Sequence, residues 1–270
     1  MNNVVFYFSG TGNALWAGRT VAQELGACRL FPMASGEHAV QAKGADSVGL
    51  FFPVHIWGVP GLVLDFVSRL KVEPETYLYA VAVNAGQVSR TLIQLAVFCR
   101  KAGMNLAAGV EVKLPSNYIP WGGPGDGDEI ANRISRARTK LEEVAIRFKN
   151  KERWGVERGP LWQRILFTAL YRLSFGQVPG MDKKFTVDEA CNGCAICVRV
   201  CPVANIDLHE NRPRWHHRCT QCLACLQWCP QKAIQMGART SGYDRYHHPE
   251  VLLRDVLFED RSPPPGQPKG

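Results

Sequence analysis

Residues 191–202 read CNGCAICVRVCP and residues 219–230 read CTQCLACLQWCP. Each copy spaces its thiols as C-x2-C-x2-C-x3-C-P: Cys191, Cys194, Cys197 and Cys201 before Pro202, then Cys219, Cys222, Cys225 and Cys229 before Pro230. Two residues between thiolates let a tight loop wrap three sulfurs around three corners of a metal-sulfur cube, and the fourth corner then needs a sulfur from elsewhere. Four-thiolate zinc sites instead carry two C-x2-C pairs separated by a longer loop, which puts zinc well behind. A disulfide scaffold belongs to secreted chains, and Met1–Gly10 shows neither a basic n-region nor a cleavage site, so reduced thiols are expected. His216 and His217 precede Cys219, but sulfur fills every corner and both histidines read as packing or solvent residues.

The spacing resembles that of bacterial two-cluster ferredoxins, in which the fourth cysteine of each run ligates the other cluster. The resemblance implies one [4Fe-4S] cluster on Cys191, Cys194, Cys197 and Cys229, and a second on Cys219, Cys222, Cys225 and Cys201. Two clusters in so short a segment would lie close enough to exchange electrons. The two remaining cysteines, Cys28 and Cys99, fall in an expected strand and an expected helix and read as buried structural thiols.

Far upstream, Asn3 to Phe8 is a short apolar run that stops at Ser9-Gly10-Thr11-Gly12-Asn13, after which Ala14, Ala17, Val21 and Leu25 recur at helical spacing. The pattern reads as buried strand, polar loop, helix. Hydroxyls, an amide and glycines at the start of a helix make a site for a phosphate. A nucleoside-triphosphate loop would end in Gly-Lys-Ser/Thr, and here Asn13, Ala14 and Leu15 stand instead. A dinucleotide fingerprint fails at Leu15, and at the second strand, Cys28 to Phe31, which ends in Pro32 rather than an acid.

The loop resembles the phosphate loop of flavodoxins, Ser/Thr-x-Thr-Gly-x-Thr, with Ser9, Thr11 and Gly12 matching and Ala14 departing from the last threonine. Further strands are expected at Ser47–Phe52, Thr76–Val83 and Leu106–Leu114, and helices at Gly61–Leu70 and Thr91–Lys101. Ile130, Ile134, Ala137, Leu141, Val144 and Phe148 mark a closing helix with one apolar face. About five strands alternating with helices predict a doubly wound parallel sheet. In the flavodoxin-like version FMN lies at the carboxyl ends of the strands. The resemblance implies that FMN is held by Ser9, Gly10, Thr11, Gly12, Asn13 and Ala14, by Pro53, Val54, His55, Ile56, Trp57 and Gly58, and by Asn84, Ala85, Gly86 and Gln87. Trp57 is the first candidate to stack on the isoalloxazine, His55 the second; the alternative is that Trp57 covers a hydrophobic edge.

The formal charge of +8 is unevenly spread, because residues 133–172 hold 11 basic and 4 acidic side chains. A basic helix face is most often solvated, but it also suits an acidic redox partner or an anionic membrane surface. No nucleic-acid motif accompanies it, and no segment approaches the roughly 18 apolar residues of a transmembrane helix. Residues 117–128 read as a surface loop rich in Gly, Pro and Asp. Leu161 to Phe175 reads as a helix apolar nearly all round except for a stripe at Arg164, Thr168 and Arg172, so it needs cover on several sides. Packing between two domains is the expected cover, with a membrane surface as the alternative. Residues 237–249 are polar and aromatic, with Tyr243, Arg245 and Tyr246 as candidates to lie near a redox centre, and residues 262–270 look like a disordered tail.

The expected organisation is a flavodoxin-like domain over residues 1–153, a helical connection over 154–182, a smaller α+β ferredoxin domain over 183–250 and a tail over 251–270. SGTGNA at 9–14, FPVHIWGVP at 52–60, the two cysteine runs and RYHHP near the end look like the bacterial family that fuses a flavodoxin to a two-[4Fe-4S] ferredoxin. That resemblance implies FMN, two clusters and an oxygen-poor cytoplasm. The function it implies is a relay of electrons between the clusters and FMN on behalf of other redox proteins. The alternatives are a flavin-dependent reductase of a small molecule, with His55 as proton donor, and a non-catalytic iron-sulfur sensor.

Overall fold

The computed structural model describes residues 2–34, 36–259 and 261. Its contacts divide the chain into two compact units, Met1–Ser9, Asn13–Pro115 and Gly125–Gly176 forming one, and Gly10–Gly12, Ser116–Pro124 and Gln177–Gly270 the other. The three residues at the tip of the first loop thus group with the cysteine-rich part of the chain.

In the first unit β1 (Asn3–Tyr7), β2 (Cys28–Pro32), β3 (Ser47–Pro53), β4 (Tyr77–Asn84), β5 (Leu106–Lys113) and β6 (Gly155–Val156) form one sheet in the order β2-β1-β3-β4-β5-β6. Every pairing is parallel. The order 2-1-3-4-5 is the flavodoxin-like arrangement. The central strands read as near-continuous apolar runs because both of their faces are covered: every residue of β4 is buried, as are the first six of β3. Helices α1 (Asn13–Leu25) and α4 (Gly127–Lys149) pack together, as do α2 (Gly61–Arg69) and α3 (Thr91–Lys101). Asp126 caps α4 by accepting a hydrogen bond from the Glu129 N–H at 2.7 Å, and Ile134, Ala137, Leu141, Val144 and Phe148 bury the apolar stripe.

Two features depart from the sequence-based expectation. The sheet has six strands rather than about five, because Gly155 and Val156 pair with Ala108 and Gly109 after α4; two residues carry too little periodicity to be legible. Helix α5 (Leu161–Ser174) is not covered on several sides: it buries Gln163 and Phe167, while Leu161, Trp162, Ile165, Leu166, Leu170 and Leu173 are exposed. Among the described residues no helix is long and apolar enough to cross a membrane.

The second unit holds two short antiparallel ladders, β7 (Phe185–Val187) with β10 (Ile234–Met236) and β8 (Ile206–His209) with β9 (Arg212–Trp215). Two single-turn helices, α6 (Ile196–Arg199) and α7 (Ala224–Gln227), sit inside the cysteine runs. Its core is Phe185, Val198, Ile206, Leu223, Leu226 and Ile234 packed around the buried cysteines, with Ile119 from the Ser116–Pro124 segment. Residues from 251 onward, expected as tail, are partly built in. Val251 is buried, the Phe258 N–H donates to the Arg199 carbonyl at 2.9 Å, and the Arg261 guanidinium donates to the Pro202 carbonyl at 3.1 Å. The expected disorder of 262–270 lies outside the described residues.

Candidate functional site

The two cysteine runs fold as one conformation used twice. Three positions in each run have left-handed backbone: Gly193, Ala195 and Ala204 in the first (φ 71°, 61° and 48°), and Gln221, Leu223 and Lys232 in the second (φ 57°, 59° and 49°). All three pairs are separated by the offset from Cys191 to Cys219, and α6 and α7 start at equivalent positions. Left-handed backbone at a side-chain-bearing residue is costly, so five such residues at matched places mark a shape the runs are held to.

That shape sorts the sulfurs. Cys191, Cys194, Cys197 and Cys229 line one hollow. Cys201, Cys219, Cys222 and Cys225 line a second. Each hollow takes three cysteines from one run and the fourth from the other. Two separate quartets of thiols, each with its own hollow, suit two multi-atom metal-sulfur groups.

Burial pushes the Cys197 and Cys219 thiols up to about 12 and the Cys222 thiol to about 11, with neighbouring cysteines adding to the rise. Cys225 is raised well above the ordinary thiol value for the same reason. Such thiols release their protons only where a cation replaces them, which is what metal loading does. Donors already point at two sulfurs: the Gln221 N–H lies 3.2 Å from Cys219 Sγ and the Asn205 N–H 3.2 Å from Cys201 Sγ. Trp215, which borders the second hollow, keeps its indole N–H buried without an acceptor among the described residues. The donor set fits an iron-sulfur cluster in each quartet, and the orphaned Trp215 N–H fits one in the second.

Below the second hollow, the Asp182 carboxylate is fully buried. It accepts from Asn205 Nδ2 at 2.8 Å, the His217 N–H at 2.9 Å and His217 Nδ1 at 2.7 Å. The His217 imidazole, read from sequence as a packing or solvent residue, is exposed at its outer side and pairs inward with this buried carboxylate. An aspartate ahead of the first run gave no signal of this.

The tip of the Ser9–Ala14 loop is held by the same unit. Trp228 Nε1 donates to the Gly10 carbonyl at 2.9 Å, the His248 N–H donates to the Thr11 carbonyl at 2.8 Å, and Asn117 Nδ2 donates to Thr11 Oγ1 at 3.2 Å. A Cβ added at Gly10 would clash with the carbonyl of Cys222, and one at Gly12 (φ 95°) would meet Val251 Cβ at 2.9 Å. With the carbonyls tied, the N–H groups of Gly10 and Thr11 have no acceptor among the described residues, although both residues are buried. Buried, unpaired backbone donors between a strand end and a helix start fit an anion such as a phosphate. Asn13 and Ala14 open α1, and the Asn13 side chain donates to the Pro115 carbonyl at 3.1 Å.

The other expected flavin loops belong to the first unit. Pro53 ends β3, and His55 and Gly58 bridge each other across Ile56 and Trp57, both left-handed (φ 47° and 61°). Two consecutive side-chain-bearing residues in that conformation make a strained type I′ turn. The Trp57 ring lies flat on Phe167 at 4.5 Å and 9°, and its Nε1 donates to Gln87 Oε1 at 2.5 Å. One face of the indole is therefore covered by α5. Tyr171 of the same helix donates its hydroxyl to the Val59 carbonyl at 2.9 Å and fills the space beside Gly58. The His55 ring meets Phe8 edge-on at 5.5 Å. Asn84 ends β4 buried, donating to Glu111 and accepting the Gly86 N–H at 2.7 Å, while Ala85, Gly86 and Gln87 are exposed. An open groove of about 810 Å³ adjoins Ala85 and is lined by Glu111, Lys113, Glu129, Arg133 and Arg136. Arg133 is already paired with Glu129, and the groove reads as a solvated cleft beside α4.

Residues 190–234 match a family model described as a 4Fe-4S dicluster domain. A stretch of 58 residues is 38% identical to a component of the ion-translocating oxidoreductase complex of Methanosarcina acetivorans; it covers 21% of this chain and 22% of that protein. The chain thus matches only about a fifth of the length of that relative. Among solved structures, an archaeal flavodoxin shares 12% identity over 56% of this chain and 98% of its own, with a TM-score of 0.37. The rubredoxin oxygen:oxidoreductase of Desulfovibrio gigas shares 19% over 56% and 36%, with a TM-score of 0.38. An FMN-dependent NADH-azoreductase of Bacillus anthracis shares 10% over 55% and 99%, with a TM-score of 0.40. At these scores the likenesses carry no weight of their own, and the fold rests on the strand order. The protein joins a flavodoxin-like parallel sheet to a 4Fe-4S dicluster domain.

Proposed function

We propose that the chain is an electron-transfer flavo-iron-sulfur protein of the flavodoxin-ferredoxin fusion type, passing electrons between two [4Fe-4S] clusters and FMN. The observation that carries this reading is the sorting of eight thiols into two crossed quartets, each around its own hollow. Bound to these residues, the clusters supply one-electron transfers and the flavin supplies transfers of one or two electrons.

The chain's own residues do the rest. Cys191, Cys194, Cys197 and Cys229 hold one group, and Cys201, Cys219, Cys222 and Cys225 the other. Leu223, Leu226, Ile206 and Phe185 exclude water beside the second quartet. The Gln221 and Asn205 N–H groups stabilise negative charge on sulfur, one of the determinants of cluster potential. Gly10 and Thr11 present backbone N–H groups to the FMN phosphate, held in position by Trp228, His248 and Asn117. The loops at 53–58 and 84–87 are the residues that the flavodoxin resemblance would set around the ring. Free thiols at Cys28 and Cys99 and oxygen-sensitive clusters suit a reducing, oxygen-poor cytoplasm.

The test is anaerobic purification followed by metal, flavin, visible and EPR analysis during a dithionite titration. The expected result is about eight irons and about one FMN per chain, with flavin bleaching that follows cluster reduction. Clusters that reduce while bound flavin stays oxidised indefinitely would defeat the relay.

A further inference from the structure

Helix α5 is built the wrong way round for a helix packed on a core. Its Gln163, Phe167 and Tyr171, spaced four apart, face inward: Gln163 and Phe167 are buried, Phe167 lies on Trp57, and the Gln163 carbonyl accepts from Ser89 Oγ. Leu161, Trp162, Ile165, Leu166, Leu170 and Leu173 face outward, with exposures from 36% to 72%. At about 100° per residue these six fall in one continuous arc of roughly half the helix circumference. Single exposed leucines are ordinary, but a contiguous face of this kind marks an interaction surface.

Charge selects its occupant. From Arg158 through Met181 the sequence contains three arginines and no aspartate or glutamate. Arg172 is exposed at one border of the apolar arc, and Lys183 and Lys184 follow the segment. A second copy of the chain would bring cationic borders against each other. It would also need only the narrow a/d stripe of a helix pair, whereas this arc is about twice as wide. A broad apolar face with a cationic border and a tryptophan in its first turn is the pattern of a helix lying in the headgroup layer of an anionic membrane.

We propose that α5 is a membrane-surface anchor whose outward face inserts into anionic lipid, holding the protein at a bilayer it does not cross. The proposal does not depend on which redox groups the protein carries. It is tested by co-sedimentation of the full-length holoprotein, handled anaerobically, with phosphatidylcholine vesicles and with vesicles containing about 30% phosphatidylglycerol. The wild type is expected to pellet with the anionic vesicles, to be released by high salt and to stay largely in solution with the neutral ones.

The double substitution Ile165→Asp and Leu173→Asp alters two side chains that are 67% and 72% exposed, so it leaves the fold and the iron content intact. It is expected to lower vesicle binding roughly tenfold or more. Arg172→Glu is expected to weaken binding to anionic vesicles while sparing the weak binding to neutral ones. Equal pelleting of wild type and double variant would overturn the proposal, and so would equal binding to both vesicle types. A wild type that ignores vesicles but sediments as a dimer, with the double variant monomeric, would assign the face to a second copy instead.

Discussion

The two cysteine quartets share a spacing and a backbone, yet they sit in different surroundings. In the first, Cys194 is exposed, Cys191 and Cys229 are half-buried and Cys197 is buried; in the second, Cys201, Cys222 and Cys225 are buried and Cys219 is half-buried. The first is bordered by Asn192, Gly193 and Gln231, the second by Phe185, Ile206, Trp215 and Leu223. Spacing sets where the sulfurs go; neighbouring side chains set how much water reaches them. Because exposure and N–H donors to sulfur help set cluster potential, two groups built on one motif are expected to titrate apart.

The sharpest way to break this comparison is to remove one sulfur from each side. Cys225→Ser takes a ligand from the buried quartet and strands its partners in a hydrophobic pocket, so it is expected to lose about half the iron and much of the fold around it. Cys194→Ser also removes about half the iron, but at an exposed edge, and the second quartet's signal survives. Iron per chain and anaerobic EPR read both outcomes, and equal damage from the two would erase the difference.

Next in size is Asp182→Ala, which leaves the buried Asn205 amide and the His217 N–H without their acceptor. It is expected to cost about 3 kcal/mol of stability, read as a lower anaerobic melting temperature and faster loss of the second cluster's EPR signal. Loss of the first cluster's signal ahead of the second would contradict the placement of that carboxylate. The smallest effects come from the matched left-handed positions. Gly193→Ala puts a Cβ 3.0 Å from the Asn211 carbonyl at φ 71° and is expected to destabilise by about 1 kcal/mol. Gln221→Gly relieves φ 57° and removes an amide whose oxygen and nitrogen are both buried without partners, so it is expected to be neutral or stabilising by up to about 1 kcal/mol. Thermal melts compare the pair, and equal signs would show that the runs are not held to one shape.

Much of this architecture was legible because its signals are periodic. The five long strands and the helices at 61–69, 91–101 and 161–174 lie within two residues of their expected ends, since buried parallel strands and amphipathic helices announce themselves in hydrophobic spacing. β6 escaped because two residues have no period. The outward apolar face of α5 was left with two possible covers, a second domain or a membrane surface, because composition says which side chains are apolar but not which side meets the protein. The residues that hold the Gly10–Gly12 tip were missed as well, although one clue stood in the repeat. Where the first run has Val198, Arg199 and Val200, the second has Leu226, Gln227 and Trp228. Gln227 is buried, donating to the Asn117 carbonyl and accepting the Tyr246 N–H, and Trp228 stacks flat on His247 at 4.2 Å. The departure between the copies is where the second run acquires a task beyond binding metal.

The hydrogen bond from Trp228 to Gly10 joins positions 218 apart in sequence. A ribosome adding about 5–20 residues per second finishes the strand before Gly10 some ten to forty seconds before it makes that indole. The nascent parallel sheet therefore waits with an unfinished turn until the iron-binding segment has emerged and folded. Closure of that loop becomes a late event, timed by the maturation of the sulfur-rich module rather than by the sheet to which its sequence belongs.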